Sequence, residues 1–148
     1  GTRDSLDAVV ESEPDVINHN LETSRRLTPL MRSGADYDRS LDVLRYVRRR
    51  ASRRMLTKSG FMVGAGESDE EIDEMMSDLR KAGVDCLTVG QYLAPSERHW
   101  PVRRFVPPDA FHDLERRARD HFGFKRVACG PLVRSSYHAK EMALREGR

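Results

Sequence analysis

Cysteine is nearly absent. The 148 residues contain only Cys86 and Cys129, far apart in the chain. A cuboidal iron–sulfur cluster takes three or four closely placed thiolates, so two lone cysteines cannot supply even one. Both read as free thiols, buried or half-buried, in a reducing compartment. Long apolar runs are also missing. None approaches the roughly 20 residues of a membrane-spanning helix, so no membrane partner is expected. The first residues, Gly1 to Asp7, are polar with no apolar core behind them, so no signal peptide is expected there. The expected location is cytoplasmic. A large charge excess is lacking too: 26 basic against 24 acidic residues leave a net charge of +2. Nucleic-acid binders usually show a strong basic excess, so nucleic acid is not an expected partner. Lysine is scarce, occurring at Lys58, Lys81, Lys125 and Lys140, and arginine carries most of the positive charge.

What is present suits one compact domain: 34% charged and 38% hydrophobic residues. Short apolar runs alternate with amphipathic segments, which is the pattern of βα repeats and a parallel sheet. Leu6 to Glu11 reads as the end of a helix and Asp15 to Asn20 as a strand. Leu21 to Ala35 reads as a polar loop with room for a short helical turn. Tyr37 to Arg50 is a helix with Asp36 as N-cap and Leu41, Leu44 and Val47 on one face. The run Arg48, Arg49, Arg50, Arg53, Arg54 at its end reads as a solvated face and the cationic terminus that a helix dipole favours. Met55 to Val63 is the next strand, closed by the turn Gly64-Ala65-Gly66.

Ser68 and Glu71 form a capping box that starts another helix. Ile72, Met75, Met76 and Leu79 are its buried stripe and Gly83 its C′ residue. Asp85 to Leu93 is a third strand, and Ala94 to Pro108 an irregular connection. Pro108 to Phe122 is a helix with Phe111, Leu114, Ala118 and Phe122 inward. Phe124 to Val133 holds a short strand, and the tail ends in a helical stretch. The fold class is therefore α/β, with parallel strands and outer helices, and it begins in mid-pattern. A parallel sheet needs helices on both faces or closure into a barrel, so the chain looks like part of a larger αβ barrel.

Three segments concentrate polar or glycine residues where a barrel enzyme carries its site, at the C-terminal ends of strands. Asn18-His19-Asn20-Leu21-Glu22-Thr23 is polar at five of six positions. Gly60-Phe61-Met62-Val63-Gly64-Ala65-Gly66-Glu67 lets a ligand approach the backbone. It has neither the dinucleotide fingerprint nor a Walker lysine, so a planar ligand lying on the strand suits it better than a phosphate. Gly130-Pro131-Leu132-Val133-Arg134-Ser135-Ser136-Tyr137-His138-Ala139 brings serines, arginine, tyrosine and histidine together. A serine nucleophile with His138 as base is the weaker reading, since no nucleophile-elbow pattern surrounds them.

Together NHNLET at 18–23, TKSGFMVGAGE at 57–67, TVGQYLAPS at 88–96 and GPLVRSSYHA at 130–139 resemble lipoyl synthases, in the order that family shows. The match runs from about Pro14 to Ala139. The resemblance implies the C-terminal part of a radical S-adenosylmethionine (SAM) (β/α)6 partial TIM barrel over residues 1–133, and a tail, 134–148, carrying RSSYHA. It implies a sulfurtransferase that inserts two sulfur atoms at C6 and C8 of an octanoyl chain. That chain rides on a lipoyl carrier domain, of a 2-oxoacid dehydrogenase E2 or the glycine cleavage H protein. The implied cofactors are SAM and two [4Fe-4S] clusters.

By residue, Gly60, Met62, Gly64 and Glu67 match the strand motif that packs against the adenine. Asn20 and Glu22 match contacts to the SAM ribose and amino group, and Arg32 a contact to its carboxylate. Ser136, with Ser135 as the fallback, matches a serine ligand of the auxiliary cluster, with Arg134 beside it as catalytic. A hard alkoxide is a removable ligand for such iron. Gln91, Tyr92 and His99 are expected at the cavity or its rim.

One departure stands out. The family's two three-cysteine motifs are absent, and Cys86 and Cys129 match neither. The chain is expected to supply at most one cluster ligand and, alone, no turnover. A missing N-terminal half becomes an expected partner, and an uncovered sheet edge an aggregation hazard. The alternatives are a non-catalytic module binding SAM or the carrier domain, and a basic helix over Arg48 to Arg54 binding nucleic acid.

Overall fold

A computed structural model describes residues 3–136 and 141. Tyr137, His138 and most of the expected terminal helix lie outside the described residues. The elements run α1 (Arg3–Glu11), β1 (Val16–Asn18), α2 (Thr28–Met31), α3 (Tyr37–Arg50), β2 (Leu56–Val63), α4 (Asp69–Lys81), β3 (Cys86–Gln91), α5 (Pro108–Arg116) and β4 (Arg126–Gly130). The strands form one parallel sheet in the order β1-β2-β3-β4. Strand follows strand in sequence order through helices, as in a segment of an α/β barrel wall.

Local chemistry explains the helices. At α3 the Asp36 carboxylate accepts from the Arg39 amide at 2.9 Å. At α4 both halves of the capping box form: Glu71 N donates to Ser68 Oγ, and Ser68 N donates to Glu71 Oε2. Such a cap is worth about 1 kcal/mol. Gly83 follows α4 with φ +84, where a Cβ would run into the Arg48 side chain. The apolar faces then meet the sheet. Leu41 and Leu44 of α3, the four residues of the α4 stripe, and Phe111, Leu114 and Ala118 pack on Phe61, Val63, Leu87, Val89 and Val127. Each fully buried large aliphatic or aromatic side chain here contributes roughly 2 kcal/mol.

Strand alternation sends the intervening residues to the opposite face. Lys58, Gly60 and Met62 of β2 stand beside Cys86, Thr88 and Gly90 of β3 in register. This is the face that a barrel turns inward. It is buried even without a closed barrel around it: β3 is buried along its whole length, and Lys58 is 2% exposed.

Three details differ from the expectation and one matches it. β1 covers three residues, because beyond Asn18 the ladder continues only through single bonds such as Leu21 N to Gly60 O at 3.0 Å. The loop after it contains the short helix α2, with Pro29 in its first turn, which is the helical turn the sequence left room for. The expected helix Pro108 to Phe122 widens at Arg117–His121 into a π turn, where Phe122 N donates to Arg117 O. Arg48 is not on the solvated face. Its guanidinium donates to Met55 O at 3.0 Å and to buried Asp85 at 3.3 Å, since α3 lays its last turn over the start of β2.

Candidate functional site

Over the inward face of β2 and β3, beyond the C-terminal end of β1, lies a crevice of about 130 Å³. Gly60 and Met62 line it from β2, and Thr88 and Gly90 from β3; Asn20 and Glu22 enter from the segment after β1, and Val133, Arg134 and Ser135 from the tail. The sequence separates these residues by over a hundred positions. Parallel pairing brings the strand ends to one level, and the turn after β4 sends the chain back over them.

Asn20 sits where the β1 backbone still bonds to β2, with His19 N donating to Lys58 O at 3.1 Å. Its Oδ1 is buried and accepts no hydrogen bond. An orphaned buried acceptor ordinarily costs 1–3 kcal/mol, so this atom marks a place for a donor. Gly60 sets the depth of the floor: a Cβ there would lie 2.9 Å from Thr88 O and 3.5 Å from Asn20 Oδ1. Glu22 has φ +74, a left-handed conformation that non-glycine residues rarely adopt. Backbone bonds on both sides hold it: Glu22 N donates to Gly60 O at 3.0 Å, and Met62 N donates to Glu22 O at 2.9 Å. Strain fixed in this way commonly accompanies a functional position. His19 and Thr23, on either side, also bury side-chain atoms without partners, Nε2 and Oγ1. Burial first, and then the Arg32 guanidinium, hold the His19 imidazole below its usual pKa, with Glu22 opposing them. Arg32 is thus within electrostatic reach of this cluster, although it does not line the crevice.

The glycine-rich segment divides into two parts with different work. Gly60 and Met62 face the crevice. Gly64 and Glu67 lie outside its lining, because the backbone leaves the strand at Gly64 with φ +98. The buried Glu67 carboxylate closes the turn, accepting from Gly64 N at 2.6 Å and Ala65 N at 3.0 Å. The loop after β3 clasps the same turn: Arg103 N donates to Gly64 O, and Trp100 Nε1 donates to Ala65 O at 2.7 Å. Gln91 and Tyr92 are committed to that loop. The Gln91 amide donates to Arg104 O and accepts from Val106 N, and Tyr92 Oη donates to Trp100 O. His99 is exposed, with Nδ1 2.8 Å from Ser96 Oγ. None of the three lines the crevice.

In the tail, a tight turn bonds Val133 N to Gly130 O and lays the Val133 carbonyl on Gly90, where a Cβ would collide with it. Arg134 folds over this turn and donates to Val133 O at 2.8 Å. Ser135 reaches the crevice, while Ser136 is exposed and outside its lining. Ser135 O accepts from Lys58 Nζ at 2.6 Å. Lys58, Thr88, Gly90 and Val133 were not among the expected site residues. Counting by two along the strands from Gly60 does reveal Lys58, and from Gly90 it reveals Thr88.

A ligand carrying hydroxyl and amino donors fits this arrangement, since Asn20 offers an unused acceptor over a glycine floor. A complete iron–sulfur cluster does not fit it. Among the described residues no three His, Cys, Asp or Glu side chains converge. Burial pushes both thiols up, Cys129 to about 12 with Glu115 adding to the effect, so neither is a ready thiolate. No helix of the described residues is long and apolar enough to cross a membrane.

Comparison with known proteins agrees with this geometry. The family model "Radical SAM superfamily" matches residues 1–79. Lipoyl synthase of Flavobacterium psychrophilum is 49% identical over 144 residues, covering 97% of this chain and 49% of that protein. The lipoyl synthase of Methanocella arvoryzae is 53% identical, covering 95% and 47%. The mitochondrial lipoyl synthase of Nematostella vectensis is 45% identical, with the same coverage, 95% and 47%. The chain thus spans about half the length of the curated relatives it matches. Among solved structures, SuiB of Streptococcus suis superposes with a TM-score of 0.67 over 95% of this chain and 32% of SuiB. At 13% identity that likeness speaks for the fold alone. The chain belongs to the radical SAM superfamily, and within it to the lipoyl synthases, of which it represents about half.

Proposed function

We propose that this chain forms the SAM-holding wall of a lipoyl synthase and brings one ligand, Ser136, to its auxiliary cluster. The whole enzyme would insert two sulfur atoms, at C6 and C8, into the octanoyl chain of a lipoyl carrier domain. The observation that carries the reading is the crevice in which Asn20, Glu22, Gly60 and Met62 meet Arg134 and Ser135. Asn20 Oδ1 accepts from the ribose hydroxyls or the amino group of SAM, and Glu22 takes the remaining donor. Gly60 and Met62 provide the surface for the adenine, and Arg32 pairs with the carboxylate. Gly64 and Glu67 act indirectly, by fixing the turn that ends this wall. The tail brings Arg134 and Ser135 to the site, and Arg134 would stand beside Ser136 at the cluster. When bound, SAM and the two [4Fe-4S] clusters supply the radical and the sulfur. The cluster cysteines must come from residues this chain does not contain.

The test is to co-express the chain with an N-terminal half bearing two three-cysteine motifs, reconstitute anaerobically, and weigh an octanoylated H protein or E2 domain. Lipoylation that needs both halves is expected. Two soluble, associated, iron-loaded halves that leave the octanoyl chain unchanged would overturn the proposal.

A further inference from the structure

Lys58 is a buried ammonium on the inward face of the sheet, 2% exposed, beside Cys86 in the strand register. Burying a charge is costly unless it is paired and hydrogen-bonded. The ion pairs of the described residues do not include Lys58. The side chain spends its charge on one acceptor, the Ser135 carbonyl at 2.6 Å, 77 residues away in sequence. A charge-assisted bond of that length is among the strong ones. Around it the tail has few anchors. Val133 is buried, and its amide bonds to Gly130 O, but Arg134, Ser135 and Ser136 are exposed.

We propose that Lys58 is a positioning residue: a tether inside the barrel wall that fixes the backbone at Ser135 and so sets where the next residue, Ser136, presents its hydroxyl. The role given to Ser136 rests on the function proposed above; the tether itself does not. Its logic is geometric. A serine that must meet one iron atom needs its backbone held to a fraction of an ångström. The segment is exposed and cannot obtain that precision from packing. A long side chain rooted in β2, an interior strand of the sheet, can transmit it.

The test is limited trypsin digestion of the chain, following cleavage after Arg134 by mass spectrometry and cleavage after Arg80 and Lys81 in α4 as the control. Lys58→Met removes the donor while keeping the buried stem. It should raise cleavage after Arg134 about tenfold or more while leaving α4 protected, because losing a charged hydrogen bond opens only the segment it held. Lys58→Arg, which can still reach the carbonyl, should stay near wild type. Equal cleavage after Arg134 in all three proteins would overturn the tether. Should Lys58→Met also open α4, Lys58→Gln decides: it is polar but too short to reach Ser135, so the same selective rise is expected and its absence would overturn the proposal. Calorimetric titration of the same proteins with SAM separates the two ideas. A wild-type chain that binds no SAM counts against the SAM-holding wall and leaves the trypsin result to judge Lys58.

Discussion

The two ends of the sheet treat buried polar groups in opposite ways. At the N-terminal end of β3, Asp85 is buried, yet every approach to its carboxylate is used. It accepts from Thr57 N at 3.1 Å and Thr57 Oγ1 at 3.2 Å, and it pairs with Arg48 at 3.3 Å and Lys125 at 2.9 Å. Beyond the C-terminal end of β1, within five residues, His19 Nε2, Asn20 Oδ1 and Thr23 Oγ1 are buried with no partner. Ser59 Oγ shares that condition in mid-strand, but no such cluster surrounds it. In barrels of this type one end is built for stability and the other for chemistry. The contrast fits that division without reference to any motif: at one end the buried carboxylate is satisfied within the protein, and at the other buried polar atoms have no protein partner.

Breaking the satisfied end should have the largest effect. Asp85→Ala strands the Thr57 amide and leaves half-buried Arg48 without its carboxylate. A loss of about 3 kcal/mol in a urea unfolding curve at neutral pH is expected. A pH series gives an independent reading. Burial alone would raise the Asp85 pKa, but Lys125, the Thr57 amide and Arg48 outweigh it, and the carboxyl lies below the ordinary range. A depressed folded pKa means the stabilisation is complete above the unfolded value, about 3.9. It is lost as pH falls through the lower, folded value. Wild type should therefore lose its advantage over Asp85→Asn below about pH 4. A constant gap between the two curves down to low pH would contradict the assignment.

The unsatisfied end should respond in the reverse sense. Asn20→Ala removes an acceptor that has no protein partner, so the urea midpoint should stay put. Affinity for SAM should drop about tenfold, the worth of one lost hydrogen bond of roughly 1.4 kcal/mol. Calorimetry and unfolding on the same preparation check both halves. A large fall in stability with unchanged affinity would remove the distinction between the two ends.

Much of the satisfied framework was legible in the sequence, because helix signals are local. Asp36 and the Ser68–Glu71 box lie within three residues of the amides they cap, and the α4 stripe follows from spacing alone. The site was legible in part. Strand periodicity places Gly60 and Met62 on one face, but it says nothing about where the strand stops. Gly64 and Glu67 belong to the same motif and yet serve the turn, because the positive φ at Gly64 ends the alternation. What was not legible is long-range. Arg48 meets Asp85 across 37 residues, and Lys58 meets Ser135 across 77. No local pattern encodes either pair. The π turn at Arg117–His121 was hidden as well, since its apolar stripe reads as ordinary helix.

The smallest effect sharpens the comparison most. Glu22 holds φ +74 in a loop that its own backbone bonds keep in place. A left-handed conformation costs a non-glycine residue roughly 1–2 kcal/mol, and glycine avoids that cost while losing about 0.5–1 kcal/mol of chain entropy. Glu22→Gly should therefore unfold at a slightly higher urea concentration than wild type, by an amount worth about 0.5 kcal/mol. It should also bind SAM more weakly, because the carboxylate proposed to meet the ligand is gone. Strain retained at a position where glycine would be easier has a reason only if the side chain is needed. If Glu22→Gly is more stable and binds SAM as well as wild type does, Glu22 has no part in the site. The strain would then belong to the path of the chain, and the unsatisfied end would shrink to Asn20 and its neighbours His19 and Thr23.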